Sequence, residues 1–98
     1  MKTRTDYDLA FQIVKGVVDA WDPYGLLAGG APRDEFESEV GKLLPRLRDV
    51  HSSEDATREI SAVFARAFEP GKFTPELCSE VGAQLYSALQ KAGLLSTR

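Results

Sequence analysis

The chain contains one histidine, His51, and one cysteine, Cys78, and this scarcity limits the chemistry that it can carry out. A histidine-based metal site, a Cys–His dyad and a Ser–His–Asp triad would each depend on this single imidazole. His51 stands beside two serines in a predicted turn, where an exposed or capping role is expected. Cys78 falls on the apolar stripe of a predicted helix, where a buried and inert thiol is expected. The sequence therefore predicts no catalytic site, no metal site and no cofactor, and hence a protein that is not an enzyme.

The most informative charged feature is an acidic segment between positions 19 and 39, which holds six carboxylates and one base, Arg33. The segment has a net charge of −5, whereas the rest of the chain has +2 and the whole chain −3. Two interpretations are open: a solvated first helical turn that complements the helix dipole, or a docking face for a basic partner protein. The carboxylates are Asp19, Asp22, Asp34, Glu35, Glu37 and Glu39.

Three glycines precede the predicted start of the second helix, a geometry that can hold an anion. Gly25, Gly29 and Gly30 do not have the spacing of a P-loop or of a dinucleotide fingerprint, and no strand is predicted before them. The surrounding acids would also repel a phosphate. Nucleic acid is not expected as the main partner, because a phosphate backbone requires a basic face.

The apolar residues recur at intervals of three and four along the whole chain, which predicts amphipathic helices and no sheet. The first helix is expected to start with Asp6 as its N-cap and to end before Asp22, because Pro23 disfavours helical geometry in the residue before it. Gly16 lies inside this helix, where it predicts the close approach of a neighbouring helix. Residues 22–31 are expected to form an ordered loop, since this segment combines three glycines and one proline with three large apolar side chains.

Three further helices follow. Pro32 suits the first position of the second helix, which should kink or break at Pro45 because proline lacks an N–H and clashes with the preceding turn. Ser52 or Ser53 is the expected cap of the third helix, and residues 74–75 have the Thr-Pro signature of a helix start. The predicted fold is all-α: a compact four-helix domain over residues 1–98, an irregular bundle with an ordered loop after the first helix and a kink or break near Pro45.

The loop and the acidic segment are expected to form one surface. Trp21, Pro23, Gly25 and Pro32 are the predicted anchors of the loop, with Trp21 packing on the core, Pro23 fixing a dihedral and Gly25 supplying a positive one. The residues predicted to bind a partner are Asp22, Tyr24, Asp34, Glu35 and Glu39.

The Trp-Asp-Pro-Tyr-Gly motif at 21–25, followed by Gly-Ala-Pro-Arg-Asp-Glu-Phe at 30–36, resembles the YugE-like family of small helical bacterial proteins. The resemblance extends more loosely to Val63, Phe64 and Phe68 of the third predicted helix. It implies a helical fold and no established reaction. Small acidic proteins of this pattern are also similar to immunity proteins of bacterial toxin systems.

The function expected from the sequence is a non-enzymatic protein-binding module, such as an adaptor, an antagonist or an immunity-like factor, with an acidic loop–helix face. One alternative is a domain that binds a ligand or a divalent metal through carboxylates, and another is a structural homo-oligomer, for example a homodimer. No apolar run reaches the length of a membrane helix and no signal-peptide pattern is present, so a cytoplasmic location is expected.

Overall fold

The structure is a computed structural model that describes residues 3–95, and it is built from helices. These residues contain four α-helices and no strand, which confirms the predicted all-α four-helix class. Residues 1, 2 and 96–98 of the predicted domain lie outside the described residues. The α-helices are α1 (Arg4–Trp21), α2 (Glu37–Leu43), α3 (Ser53–Ala67) and α4 (Pro75–Lys91), and 3₁₀ turns cover Pro23–Gly25, Leu44–Asp49 and Pro70–Lys72.

Hydroxyl side chains cap the three long helices. Thr3, Ser52 and Thr74 each accept a hydrogen bond from the backbone N–H three residues on, at 3.0, 3.1 and 3.3 Å. The prediction of Asp6 as the cap of α1 is wrong, because the extended backbone ends at Thr3 and Asp6 already lies in the first helical turn. At the other end of the chain, Gly93 takes a φ of +71° just after α4, the left-handed conformation typical of a glycine that ends a helix.

The second helix begins later than predicted. Pro32 does not open it: α2 begins at Glu37, after two turns that close with hydrogen bonds to residues three positions back. In these turns the Glu35 N–H donates to the Pro32 carbonyl, and the Glu37 N–H donates to the Asp34 carbonyl. Asp34 and Glu35 therefore lie in turns before α2 and not in a helical turn.

The break near Pro45 is confirmed. The last α-helical residue is Leu43, and the chain continues as the 3₁₀ segment that contains Pro45. A proline in an α-helical interior would remove one backbone hydrogen bond and clash with the carbonyl four residues earlier. The tighter 3₁₀ path lets this segment turn toward α3 while its leucines stay buried.

The helices enclose one hydrophobic core. α4 packs against α1 and α3, and α2 packs against the same two helices. Phe64 of α3 lies among the aromatic rings of this core, next to Phe36 and Phe73. The largest fully buried side chains are Phe36, Phe64, Leu43, Leu44, Ile60, Leu85 and Leu89, with Val14, Val18, Val40, Val50 and Cys78.

α4 and α3 approach each other closely at Gly82 of α4, which faces Thr57 of α3. A Cβ atom on Gly82 would lie 2.7 Å from the Thr57 Cα, closer than van der Waals contact allows. The close approach predicted at Gly16 is wrong, because Gly16 is exposed and a Cβ there would meet nothing within 4 Å. The helix contact that needs a glycine is therefore in α4 and not in α1.

Candidate functional site

The loop after α1 is held by the carboxylate of Asp22. Its Oδ1 accepts a hydrogen bond from the Leu27 N–H at 2.8 Å, and its Oδ2 accepts one from the Ala28 N–H at 3.0 Å. Asp22 itself takes a left-handed backbone conformation with φ +49°, and Gly25 takes φ +63°, the positive dihedral predicted for it. Both oxygens of Asp22 thus accept hydrogen bonds inside the loop, which gives this predicted binding residue a structural role.

Trp21 attaches the loop to the core, as expected for an anchor. Its ring meets the edge of Phe64 at a centroid distance of 5.0 Å and that of Phe73 at 5.7 Å. Pro23, the second predicted anchor, is buried beside it, whereas Pro32 is exposed. Edge-to-face pairs of this kind stabilise beyond the area that they bury. The first half of the loop is therefore fixed on the aromatic core.

Tyr24 is the most prominent side chain of the loop surface. It is 47% exposed, and its hydroxyl donates a hydrogen bond to Glu69 Oε2 at 2.8 Å. Its ring packs edge-on against Phe68 and Phe73, at 5.7 and 5.6 Å between centroids. Desolvation, followed by the hydrogen bond to Glu69 and its negative charge, raises the pKa of the Tyr24 hydroxyl. Its φ of +63° is rare for a residue other than glycine.

Phe68 connects the loop with the acidic turns before α2. Its ring lies 5.7 Å from that of Tyr24 and 6.5 Å from that of Phe36, which directly follows Asp34 and Glu35 in the chain. Phe68 is itself 36% exposed. We use the name aromatic–acidic face for the contacting residues Tyr24, Phe68 and Glu69 together with Asp34 and Glu35, which precede Phe36 in the chain.

Two members of this face, Phe68 and Glu69, were missed by sequence reasoning. The helical period placed Phe68 in the core stripe of α3, because it continues the spacing of Ile60 and Phe64. The helix ends at Ala67, however, so Phe68 lies beyond its last turn and comes partly to the surface. Glu69 stands just before Pro70, in a segment that the sequence marked only as a helix break.

Burial removes one carboxylate from the surface predicted from the acidic segment. Glu39 is only 8% exposed, because it lies on the inward side of α2 next to the buried Val40, and this removes it from the predicted surface. In addition, the side chain of Lys15 in α1 lies beside two carboxylates of the acidic segment. Its Nζ lies 2.7 Å from Asp19 Oδ2 and 3.8 Å from Glu37 Oε2. Part of the negative charge counted along the sequence is therefore balanced in space.

The other chemically active side chains lie apart from this face. The backbone N–H of His51 donates to Asp55 Oδ2 at 2.9 Å, and the His51 carbonyl accepts from the Tyr86 hydroxyl at 3.4 Å. Cys78 is fully buried in α4, and burial raises the pKa of its thiol. His51 is thus exposed near a helix start, and Cys78 is a buried thiol, as the sequence predicted.

No group of three or more His, Cys, Asp or Glu side chains within residues 3–95 has an arrangement that could hold a metal ion. Helices with the length and hydropathy of a membrane span are likewise absent from this part of the chain.

Comparison with the models of known protein families, with curated proteins and with solved structures found no match to this chain. The resemblance of the Trp-Asp-Pro motif at 21–23 to the YugE-like family therefore stays a prediction.

Proposed function

We propose that this protein is a non-enzymatic binding module, acting in the cytoplasm, that uses the aromatic–acidic face to recognise a partner protein with a basic surface. The observation that carries the proposal is the exposed edge-to-face pair of Tyr24 and Phe68 with the Glu69 carboxylate bound to the Tyr24 hydroxyl. The proposal keeps Tyr24, Asp34 and Glu35 from the sequence analysis. It replaces Asp22 and Glu39 with Phe68 and Glu69.

The chemistry of the face suits lysine and arginine side chains. A guanidinium or ammonium group is attracted to an aromatic face by about 0.5–1 kcal/mol at exposed sites. Carboxylates beside the rings provide charge-assisted hydrogen bonds to the same cation. Asp34 is fully available for this role, since it is exposed and has no ion-pair partner within the described residues.

The backbone of Tyr24 supports the same interpretation. A left-handed conformation costs a non-glycine residue roughly 1–2 kcal/mol, and such strained residues concentrate at functional sites. The left-handed backbone at Tyr24 occurs together with a large ring that is 47% exposed and packs edge-on against Phe68. This combination supports a binding role for Tyr24.

The test is affinity purification from source cells with the whole chain as bait. The triple variant Asp34→Asn, Glu35→Gln, Glu69→Gln removes three charges from the face. Its matched control, Glu54→Gln, Glu76→Gln, Glu80→Gln, removes three exposed charges from α3 and α4. We expect the face variant to weaken the retained partner by about tenfold, and the control to retain it as the unchanged chain does.

Tyr24→Asn tests the aromatic part of the face separately. Asparagine tolerates the left-handed backbone, so the loop keeps its conformation while the ring is lost. We expect weaker retention of the same partner. Equal retention by all variants, or an equal loss in the face and control variants, would contradict the proposal. If the retained polypeptide were a second copy of this chain, the homo-oligomer interpretation would replace it.

A further inference from the structure

A second concave surface lies on another side of α3, between that helix and the segment formed by α2 and the following 3₁₀ turn. This groove has a volume of about 520 Å³. Its walls carry three cationic side chains and its floor is apolar. The residues that define it are Lys42, Arg46 and Arg66 on the walls and Pro45, Val63 and Ala67 on the floor.

The three cations differ in how they are held. The Arg46 Nη1 lies 2.8 Å from Glu59 Oε1, and this ion pair fixes its guanidinium, which keeps further N–H donors free. Lys42 and Arg66 are exposed, and no carboxylate among residues 3–95 lies within ion-pair distance of either. The groove thus holds three positive charges against one negative charge.

The floor complements these charges with apolar surface. Val63 is 4% exposed and closes the bottom of the groove, while Pro45 and Ala67 are exposed to solvent beside it. Sites for small organic molecules have volumes of roughly 300–1,000 Å³, mostly apolar walls and a few polar groups that fix orientation. The volume of this groove lies within that range.

We propose that this groove, the cationic groove, binds a small organic anion. The apolar body of the ligand would cover Val63 and Ala67, and its carboxylate would lie between Lys42, Arg46 and Arg66. The carboxylate of Glu59 remains bound to Arg46 and orients it. This site shares no residue with the aromatic–acidic face, so the failure of either proposal leaves the other unaffected.

Octanoate is the probe, because it joins one carboxylate to a flexible apolar chain. Its binding is measured by calorimetry and by amide chemical shifts of the whole chain, with octanol and acetate as probes that each lack one half of its chemistry. We expect octanoate to bind and to shift the amides of the groove residues. Octanol and acetate are expected to bind at least about tenfold more weakly.

Two double variants, each of which replaces one lysine and one arginine, test where octanoate binds. Lys42→Gln with Arg66→Gln removes the two unpaired cations of the groove, whereas Lys72→Gln with Arg48→Gln removes one exposed lysine and one exposed arginine elsewhere. We expect about a tenfold loss of octanoate affinity in the first and none in the second. Ala67→Glu places a carboxylate on the exposed rim of the floor and should abolish binding.

The proposal is overturned if octanoate does not bind, if octanol binds equally well, or if both double variants lose affinity to the same extent. It is also overturned if the shifted amides lie outside the groove. An acidic amphipathic peptide that binds here when octanoate does not would identify the groove as a protein-docking surface instead.

Discussion

Two regions of the molecule each depend on a single residue. The contact between α3 and α4 depends on a residue without a side chain, and the loop after α1 depends on the side chain of one residue. At Gly82 the helices approach closely because no side chain is present. At Asp22 the loop closes because a side chain is present and accepts two backbone N–H groups. The helix contact has no space for an added atom, so a larger residue at Gly82 would destabilise the protein through a steric clash. The loop depends on hydrogen bonds, so a substitution there can be compensated by water or by a similar acceptor.

The largest expected effect is that of Gly82→Ala. The new methyl group would meet the Thr57 backbone, which cannot move aside as a flexible side chain does. Overpacking of this kind costs about 1–3 kcal/mol, which lowers the Tm of a domain of this size by several degrees for each kcal/mol. Chemical and thermal unfolding measure the change. An unchanged Tm would show that the two helices can separate without cost.

Asp22→Ala should come next, with a loss of about 1–2 kcal/mol, since two charge-assisted hydrogen bonds disappear from a partly exposed site. Asp22→Asn should lose less, because asparagine keeps one acceptor and accepts the left-handed backbone. Asp34→Ala is the matched control at an exposed aspartate and should change the free energy of unfolding little. Hydrogen exchange at the amides of Leu27 and Ala28 should accelerate in Asp22→Ala and stay unchanged in Asp34→Ala.

Gly16→Ala should have the opposite sign. Gly16 is exposed in the interior of α1, and an added Cβ meets nothing within 4 Å. Alanine should therefore stabilise the protein by about 0.5–1 kcal/mol through its higher helix propensity. Together with Gly82→Ala, this variant makes the same chemical change in two helices with opposite outcomes. A loss of stability in Gly16→Ala would contradict the assignment of the two glycines.

The smallest expected effect is a change in how the stability of the protein depends on pH, and it is caused by Tyr24. The pKa of the Tyr24 hydroxyl is raised above its ordinary value of about 10. The folded protein therefore holds this proton more tightly than the unfolded chain, and the resulting stability is present below pH 10 and is lost as the pH rises past it. Tyr24→Phe has no hydroxyl to titrate, so it should not show this loss of stability at alkaline pH. Unfolding experiments from neutral to alkaline pH compare the two, and identical pH profiles would contradict the prediction.

Much of the fold follows from local signals in the sequence. The helical period predicts all four α-helices, Thr74 and Pro75 mark the start of α4, and Pro45 marks the end of α2. These signals succeed because caps and prolines act on their own neighbours in the chain. The predictions at Gly16 and Asp6 failed for two different reasons. The prediction at Gly16 failed because a glycine in a helix does not indicate which element packs against it. The prediction at Asp6 failed because two residues near the start of α1 can serve as its N-cap.

The candidate site was harder to predict because it depends on contacts between distant segments. Tyr24, Asp34 and Glu35 follow from residue type and position, but Glu69 joins Tyr24 only through the packing of the turn after α3. Glu39 follows Glu35 at the spacing of one helical turn and is nevertheless buried, and because α2 begins only at Glu37 the two acids do not share a helix face. Lys15 reduces the local negative charge from outside the segment. Linear charge counts contain none of this information.

The buried thiol of Cys78 makes it possible to measure the local opening of the protein by chemical labelling. Cys78 is 0% exposed and lies one helical turn before Gly82, on the side of α4 that faces the core. A thiol reagent can reach it only after α4 has moved away from its neighbours. The labelling rate of the unmodified protein therefore measures how often this helix detaches, and no cysteine has to be introduced. That rate should rise in Gly82→Ala and fall in Gly16→Ala if the whole chain opens as a unit.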